Sequence, residues 1–191
     1  SEGFIWFATQ DGLNRYDGYT FTVYKPNSGD EQSISNNQIK TIFEDKKGVL
    51  WIGTAGGGLC SFNKEMETFT SYLHDPFNSS SISHNDVYAI CEDKDGDLWI
   101  GTFGGGLNKF DRRNRKFTRY IHNPFDEKSI GGNSIRSIIE DKKGRLWIGV
   151  DESGLEMLDK KNNIFYRYRN TIQNDGTFFT NTVMTLLEDS D

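Results

Sequence analysis

The chain has 191 residues, a net charge of −6, 14% aromatic residues, 20 Gly and only 3 Pro. The acidic balance argues against a general nucleic-acid binder, because attraction to phosphate needs a basic face. No apolar stretch reaches the roughly 18 residues that a membrane helix requires. Abundant aromatic residues and glycine with little proline favour short strands joined by tight turns over helices.

The first element in chain order is a shortened copy of a motif that then recurs three times. Residues 3–24 read GFIWFATQDGLNRYDGYTFTVY and contain Trp6. The complete copies, around Trp51, Trp99 and Trp147, read ED-x-x-G-x-LWIG, then GL-x-x-(F/L)-(D/N), then F-x-x-Y. The four tryptophans follow one another at intervals of 45, 48 and 48 residues. A fixed period of this size indicates a repeat architecture.

Each complete copy predicts four strands. The first is apolar and β-branched (39–44, 87–92, 135–140 and a final 183–188), and an Asp-x-x-Gly turn such as Asp45–Gly48 follows it. The second strand is predicted at 49–54, 97–102 and 145–150, and the third at 58–63, 106–111 and 154–159. The fourth strand ends at Tyr72, Tyr120 or Tyr168.

Four consecutive short strands make one antiparallel meander, which cannot bury both of its faces alone. Stacking such sheets around an axis buries them, so the predicted fold class is all-β, a β-propeller of four-stranded antiparallel blades. Two sets of residues are expected to pack between blades: Trp6, Trp51, Trp99 and Trp147 as wedges, and Gly53, Gly101 and Gly149 where a neighbouring group approaches closely.

The predicted organisation is a single propeller segment over residues 1–191. Whole blades are predicted at 33–72, 81–120 and 129–168, and a fourth blade is divided between 1–24 and 183–191. In a closed ring, residues 183–188 would supply the first strand that the N-terminal copy lacks. We expect part of a larger propeller first and a closed four-blade ring second, with two arcs closing as a dimer as a further arrangement.

The pattern V/I-x-x-I-x-ED-x-x-G-x-LWIGT-x-GGGL-x-x-FD resembles the two-component regulator propeller repeat. The opening GFIWFATQDGLNRYDGYTF resembles the first blades of sensor regions in Bacteroidetes hybrid two-component histidine kinases. The resemblance covers essentially the whole chain and implies a periplasmic sensor region that responds to breakdown products of complex glycans. It implies attachment to a membrane only through other parts of the parent protein. Residues 150–154 depart from the T-x-GGG pattern, so loop functions do not carry over there.

Binding residues are expected where the loops after the second strands and the long links between blades share one rim. The loops are 10–12, 55–58, 103–106 and 151–153, and the links are 25–38, 73–86, 121–134 and 169–182. Asp11, Phe103, Asp151 and Glu152 are the loop members that vary between copies, so we predict ligand contacts for them. The alternative is that all four are exposed turn residues and nothing more.

Two further motifs have structural interpretations. His74–Phe77 and His122–Phe125 repeat one another, so we expect the Phe to lie buried beneath the link, and two separated His do not make a zinc site. Asp93–Asp97 resembles the start of a calcium loop, but sister copies place Lys47 and Lys143 at its second acidic position. An ordinary Asp-turn-Gly is therefore predicted, and no metal or cofactor is expected.

The two cysteines occupy different repeat positions. Cys91 aligns with Phe43 and Ile139 and is predicted to be a core residue, whereas Cys60 aligns with Asn14 and Asn108 and is predicted to be more exposed. No disulfide framework is expected.

Three functions remain open at this stage. The first is a sensory or interaction module that binds an oligosaccharide, further blades or another copy of the chain. The second is a lyase-like enzyme with an acid–base His and a metal, as in related propellers. It would need those groups to converge at the axis, where apolar residues and four asparagines are expected instead: Asn37, Asn85, Asn133 and Asn181. The third is a purely structural array of blades. No nucleophile motif, P-loop or dinucleotide fingerprint is present, so no catalytic residue is predicted.

Overall fold

The computed structural model describes residues 3–168 and 181–189, and this part of the chain forms fifteen β-strands in four antiparallel sheets. The first sheet has three strands: β1 (Ile5–Thr9), β2 (Gly12–Tyr16) and β3 (Phe21–Tyr24). The second contains β4 (Ile39–Glu44), β5 (Leu50–Thr54), β6 (Leu59–Asn63) and β7 (Thr68–Tyr72). The third contains β8 (Val87–Glu92), β9 (Leu98–Thr102), β10 (Gly106–Asp111) and β11 (Lys116–Tyr120). The fourth contains β12 (Ile135–Glu140), β13 (Leu146–Val150), β14 (Gly154–Asp159) and β15 (Ile164–Tyr168).

In every sheet the strands pair in chain order, and in the three complete sheets they lie within one residue of their predicted positions. The first strands of neighbouring sheets touch one another, β4 with β8 and β8 with β12, so they form the inner side of the array. This arrangement confirms the all-β propeller fold. No helix long and apolar enough to cross a membrane occurs in residues 3–168 and 181–189.

Tryptophan and glycine of the second strand shape the contact between blades. Trp51, only 3% exposed, lies with its ring centroid 5.8 Å from Phe110 of the next blade. At Gly101 an added Cβ would stand 2.6 Å from Ile135 Cγ2, closer than any real contact allows. The missing side chain therefore lets the first strand of the next blade approach, while the neighbouring indole fills the space between the sheets.

The Asp-x-x-Gly turn is built around its buried carboxylate. Asp93 Oδ1 accepts hydrogen bonds from the amides of Asp95 and Asp97, and Oδ2 accepts the indole N–H of Trp99 at 2.9 Å. Lys160 Nζ donates to the same Oδ2 at 2.8 Å. Burial alone would raise the pKa of Asp93, but the bonds from Lys160 and Trp99 outweigh it and hold the pKa below its usual value. The predicted Asp-x-x-Gly turn is thus confirmed.

The predicted strand at 183–188 is wrong, because no ladder of backbone hydrogen bonds joins this segment to a described strand. The segment nevertheless occupies the place of a first strand. Glu188 accepts the amide of Lys142 at 2.9 Å, as Glu140 accepts that of Lys94, and Val183 lies against Gly149. In the described residues β1 pairs with β2 alone, so the divided blade of 1–24 and 183–191 remains a prediction.

The predicted burial of the link phenylalanines is also wrong. Phe77 and Phe125 are 98% and 96% exposed, whereas Ile82 and Ile130 of the same links are fully buried. The isoleucine fills the pocket under the link, and Phe77 sits at the tip, its amide bound to Asp75 Oδ1 at 2.9 Å. The link therefore needs only one apolar anchor.

Cys60 is fully buried and Cys91 half-buried, which reverses the exposure expected for Cys60. The physical reason is that a middle strand of a blade is covered on both faces by neighbouring sheets. Polar residues at this repeat position, such as Asn108 and Glu156, are buried too and bond to the links, so polarity there does not indicate exposure.

Candidate ligand-binding site

Backbone hydrogen bonds tie the loops and links together along one rim of the array. Phe103 N donates to Asp86 O at 2.8 Å, and Asp151 N donates to Ser134 O at 2.8 Å. Residues of a rim loop and of the following link also pair directly, as Phe103 bridges Ser134. The loops that carry the predicted site residues are therefore held in place by the scaffold.

The histidines of the repeated link motif stabilise these links. His122 Nδ1 lies 2.7 Å from Ile130 O, and the His122 amide donates to Asn133 Oδ1 at 2.8 Å. His74 makes the matching contacts with Ile82 O and Asn85 Oδ1. The His-x-Pro-Phe motif thus closes the link onto itself, in agreement with its structural interpretation.

A cleft of about 460 Å³ opens in this rim between the third and fourth sheets. The residues that line it, named here the rim cleft, are Phe103, His122, Gly131, Gly132, Asn133, Ser134, Asp151, Glu152 and Ser153. Three of the four residues predicted to contact a ligand therefore come together. Asp11 lies apart on the first sheet, where it forms an exposed ion pair with Lys25 at 2.6 Å.

Glu152 holds a backbone conformation that side chains usually avoid. Its φ is +62°, and the matching loop positions in the two preceding sheets are Gly56 and Gly104, with φ of +86° and +97°. A side chain in this region costs about 1 kcal/mol or more. Glycine serves in both sister loops, so Glu152 is the copy in which this loop position carries backbone strain.

A fully buried carboxylate lies beneath the rim cleft and bonds to two of the residues that line it. Glu156 accepts the amide of Gly131 through both oxygens, at 2.9 and 3.0 Å, and the hydroxyl of Ser153 at 2.7 Å. Arg167 Nε lies 3.9 Å away. Gly131, Ser153 and Glu156 stand where the preceding copy has Ser83, Gly105 and Asn108, respectively. The last copy therefore carries three matched changes beneath the cleft.

Three residues on the first strands of the blades were not predicted from the motif to have a role at the rim. Each first strand has a register irregularity at its second residue, so that Lys40, Tyr88 and Arg136 are the extra residues of β-bulges. Arg136 donates through Nε to Asp151 Oδ2 at 2.7 Å and lies 4.6 Å from the Phe103 ring centroid. The available signal was that this position changes character between the three copies while the residue before it stays apolar.

Asparagines that were expected at the axis accept hydrogen bonds from the rim loops instead. Asn85 O accepts the amide of Gly58, and Asn133 O accepts that of Gly106, both at 2.8 Å. The inner strands present Lys40, Tyr88 and Arg136 in addition to apolar residues, which corrects the expected composition. No group of three or more His, Cys, Asp or Glu side chains suited to a metal occurs in the described ranges.

A larger groove of about 720 Å³ lies at the opposite ends of the strands, next to the Asp-x-x-Gly turns. Three of its cations already have carboxylate partners: Lys109 pairs with Asp97 at 2.5 Å, Arg145 with Asp141 at 2.6 Å, and Lys160 with Asp93 at 2.8 Å. Ion pairs therefore occupy much of this groove, and the pair between Lys160 and Asp93 joins two blades. The rim cleft is the better candidate for a ligand.

Antiparallel blades with their first strands innermost define the chain as a β-propeller. The model of the two-component regulator propeller matches three stretches of the chain, residues 33–56, 81–104 and 129–152. Each match begins in a link and ends in a rim loop, so it spans the first two strands of a blade.

Solved relatives include extracellular domains of two hybrid two-component systems of B. thetaiotaomicron. One superposes with a TM-score of 0.79 at 30% identity, over 88% of this chain and 23% of its own. The other superposes with a TM-score of 0.70 at 27% identity, over 87% and 23%. The chain thus spans about a quarter of these relatives. Both are extracellular, which supports the periplasmic location implied by the resemblance.

A short stretch of sequence is similar to a kinase. Over 33 residues the chain is 52% identical to histidine kinase P4 of Formosa agariphila, which covers 17% of this chain and 2% of that protein. A virginiamycin B lyase from Staphylococcus aureus shares the fold, with a TM-score of 0.63 at 19% identity over 91% of this chain and 54% of its own. At that identity the likeness concerns the fold alone.

Proposed function

We propose that the chain is part of the extracytoplasmic sensor region of a two-component histidine kinase and that its rim cleft binds an oligosaccharide. The observation that carries the proposal is the convergence of Phe103, Asp151 and Glu152 in one cleft of about 460 Å³. An aromatic face beside a few fixed polar groups is the usual composition of a small-molecule site.

The strain at Glu152 and the matched changes under the cleft support the same site. A structural array of blades would have no need for a carboxylate at a position where glycine fits, or for Gly131 and Glu156 to change together. The relatives that are extracellular parts of two-component systems support the sensory role. The lyase alternative has no comparable support, because His74 and His122 hold the links through Nδ1.

A saccharide screen by thermal unfolding tests this proposal. A bound ligand at 100 times its Kd stabilises the folded state by about 2.7 kcal/mol, or roughly 5–10 °C for a chain of this size. Phe103→Ala should abolish the shift. Phe125→Ala, which removes a phenylalanine that is 96% exposed at a link tip, is the matched control and should keep it.

The outcome is decisive in either direction. A shift that survives Phe103→Ala would place binding elsewhere, and the absence of any shift with neutral and acidic saccharides would favour the structural alternative. A metal-dependent turnover that a chelator abolishes would favour the lyase.

A further inference from the structure

The bulges of the inner strands aim three side chains at the rim. Irregularities between Ile39 and Thr41, Val87 and Ala89, and Ile135 and Ser137 recur at the same repeat position. A β-bulge redirects a side chain and is common beside binding sites. The bulged residues are therefore carried by the innermost strands, β4, β8 and β12.

The three bulged side chains meet over aromatic rings. Lys40 Nζ lies 5.5 Å and Arg136 Cζ 5.3 Å from the centroid of Tyr88. The Tyr88 and Phe103 rings are 5.5 Å apart and inclined by 35°, and Arg136 Cζ is 4.6 Å from the Phe103 centroid. Lys40, Tyr88, Phe103, Arg136 and Asp151 form one connected group, the bulge cluster, which joins the rim cleft through Phe103 and Asp151.

Asp151 orients Arg136 without occupying its whole guanidinium. Both Nε and Nη2 of Arg136 contact the single oxygen Oδ2 of Asp151, at 2.7 and 2.6 Å. Nη1 has no hydrogen-bond partner in the described part of the chain. The edge of the guanidinium formed by Nη1 and the second N–H of Nη2 is therefore available to a ligand. The lysine ammonium of exposed Lys40 likewise has no carboxylate partner among the described residues.

The charges and rings of the bulge cluster define the chemistry of its ligand. Within the bulge cluster itself two cations face one carboxylate, while Glu152 adds a second carboxylate in the adjoining rim cleft. A guanidinium edge matches a carboxylate by paired N–H···O bonds, and aromatic faces cover the apolar face of a sugar ring. The bulge cluster can thus contact both the ring and the carboxylate of a single acidic sugar unit.

We propose that the bulge cluster is a subsite for a uronic acid unit, with the carboxylate at Arg136 and Lys40 and the sugar ring against Tyr88 and Phe103. This inference rests on the proposed function and narrows its ligand class from saccharides to acidic saccharides. Tyr88 and Arg136 are thereby assigned as specificity-determining residues.

Titration calorimetry of the 191-residue chain tests the acid requirement. The probes are trigalacturonate and trimannuronate, the methyl ester of each, and a sulfated neutral trisaccharide. At least one uronate should bind, and its methyl ester should bind at least tenfold more weakly. Equal binding of acid and ester, or binding of the sulfated probe alone, would overturn the uronate assignment.

Substitutions then test which side chains bind the carboxylate of the uronate. Arg136→Lys keeps the charge but loses the planar fork, so it should weaken binding of the uronate about tenfold and binding of its methyl ester less. Lys40→Met should weaken it several-fold. Lys116→Met, on the outer strand β11, is the control and should have no effect. Unchanged uronate affinity in both Arg136→Lys and Lys40→Met contradicts the inference.

Failure of this inference can be told apart from failure of the proposed function. If neutral trisaccharides or the esters bind as well as the acids and Phe103→Ala abolishes that binding, the rim cleft is a saccharide site without an acid subsite. If no saccharide of either kind binds, both proposals are overturned.

Discussion

The indole N–H of Trp99 donates to Asp93 Oδ2 at 2.9 Å, and the same bond joins Trp51 to Asp45 and Trp147 to Asp141. Each bond ties the second strand of a blade to the turn that precedes it. Lys160 of the next blade reaches the carboxylate of Asp93 as well. Asp93 thus connects the turn of its own hairpin, the Trp99 side chain packed between the blades, and the adjacent sheet through Lys160.

Trp99→Phe should lower the free energy of unfolding by about 1.5–3 kcal/mol, because a bond to a buried carboxylate is lost. Urea unfolding measures the change. Trp6→Phe is the control, because no hydrogen bond of the Trp6 indole is found in the described residues, and it should cost less. Equal losses in the two variants would show that the hydrogen bond contributes nothing beyond packing.

Stability should fall in acid. Burial would raise the pKa of Asp141, but hydrogen bonds from Trp147 and Arg145 outweigh it, and the pKa lies below its usual value, as does that of Asp93. A lowered folded-state pKa stabilises the fold above the unfolded value of about 4, and this contribution is lost as pH falls through the folded value. The urea midpoint should be steady from pH 7 to 5 and drop below about pH 4. A midpoint that is unchanged down to pH 2.5 would contradict this.

The contribution of Lys160 to stability has the opposite dependence on pH. Burial would lower its pKa, but bonds to Asp93 and Glu140 raise the pKa above its usual value. Its stabilising contribution is therefore complete below the unfolded value of about 10.4 and is lost as pH rises through the folded value. Lys160→Met should remove this alkaline part of the stability profile, and Lys161→Met, one position along and exposed, should not.

Gly131→Ser should destabilise the chain by about 1–3 kcal/mol, since the new side chain would fall on Ser153 Oγ and Glu156 Oε1. Adding Ser153→Gly and Glu156→Asn recreates the set found in the preceding copy and should restore most of the loss. Chemical unfolding of the single and triple variants measures the coupling. Additive losses would show that the three positions are independent.

Glu152→Gly should stabilise the fold by about 1 kcal/mol by relieving its positive φ, while weakening saccharide binding at the rim cleft. Arg115→Gly relieves a φ of +54° at a hairpin far from the rim, so it should raise the unfolding midpoint without affecting the ligand. Thermal unfolding with and without ligand separates the two effects. Full saccharide binding by Glu152→Gly would remove Glu152 from the site.

Phe77→Ala should change the free energy of unfolding by no more than about 0.5 kcal/mol, because its ring is almost fully exposed. Phe117→Ala, at a position only 6% exposed, should cost about 3–5 kcal/mol. The comparison tests whether isoleucine alone anchors the links. A large loss at Phe77 would mean that its ring packs against the protein in solution.

The sequence alone determined the blades. The fixed interval between Trp51, Trp99 and Trp147, with its Asp-x-x-Gly turn, set the strands, the turn chemistry and the propeller fold. These features are local or periodic, and each repeat confirms the others. The same comparison of copies singled out Phe103, Asp151 and Glu152 as predicted contacts, because they vary where the loops otherwise agree, and the structure brings the three into one cleft.

Only the tertiary structure decided what lies next to what between repeats. Arg136 reaches Asp151 and Phe103 because a bulge redirects its side chain, and a bulge depends on pairing between strands. Burial of Cys60 and exposure of Phe77 likewise depend on neighbouring sheets and on which residue fills the pocket. Such facts follow from packing in three dimensions, which a 48-residue period does not encode.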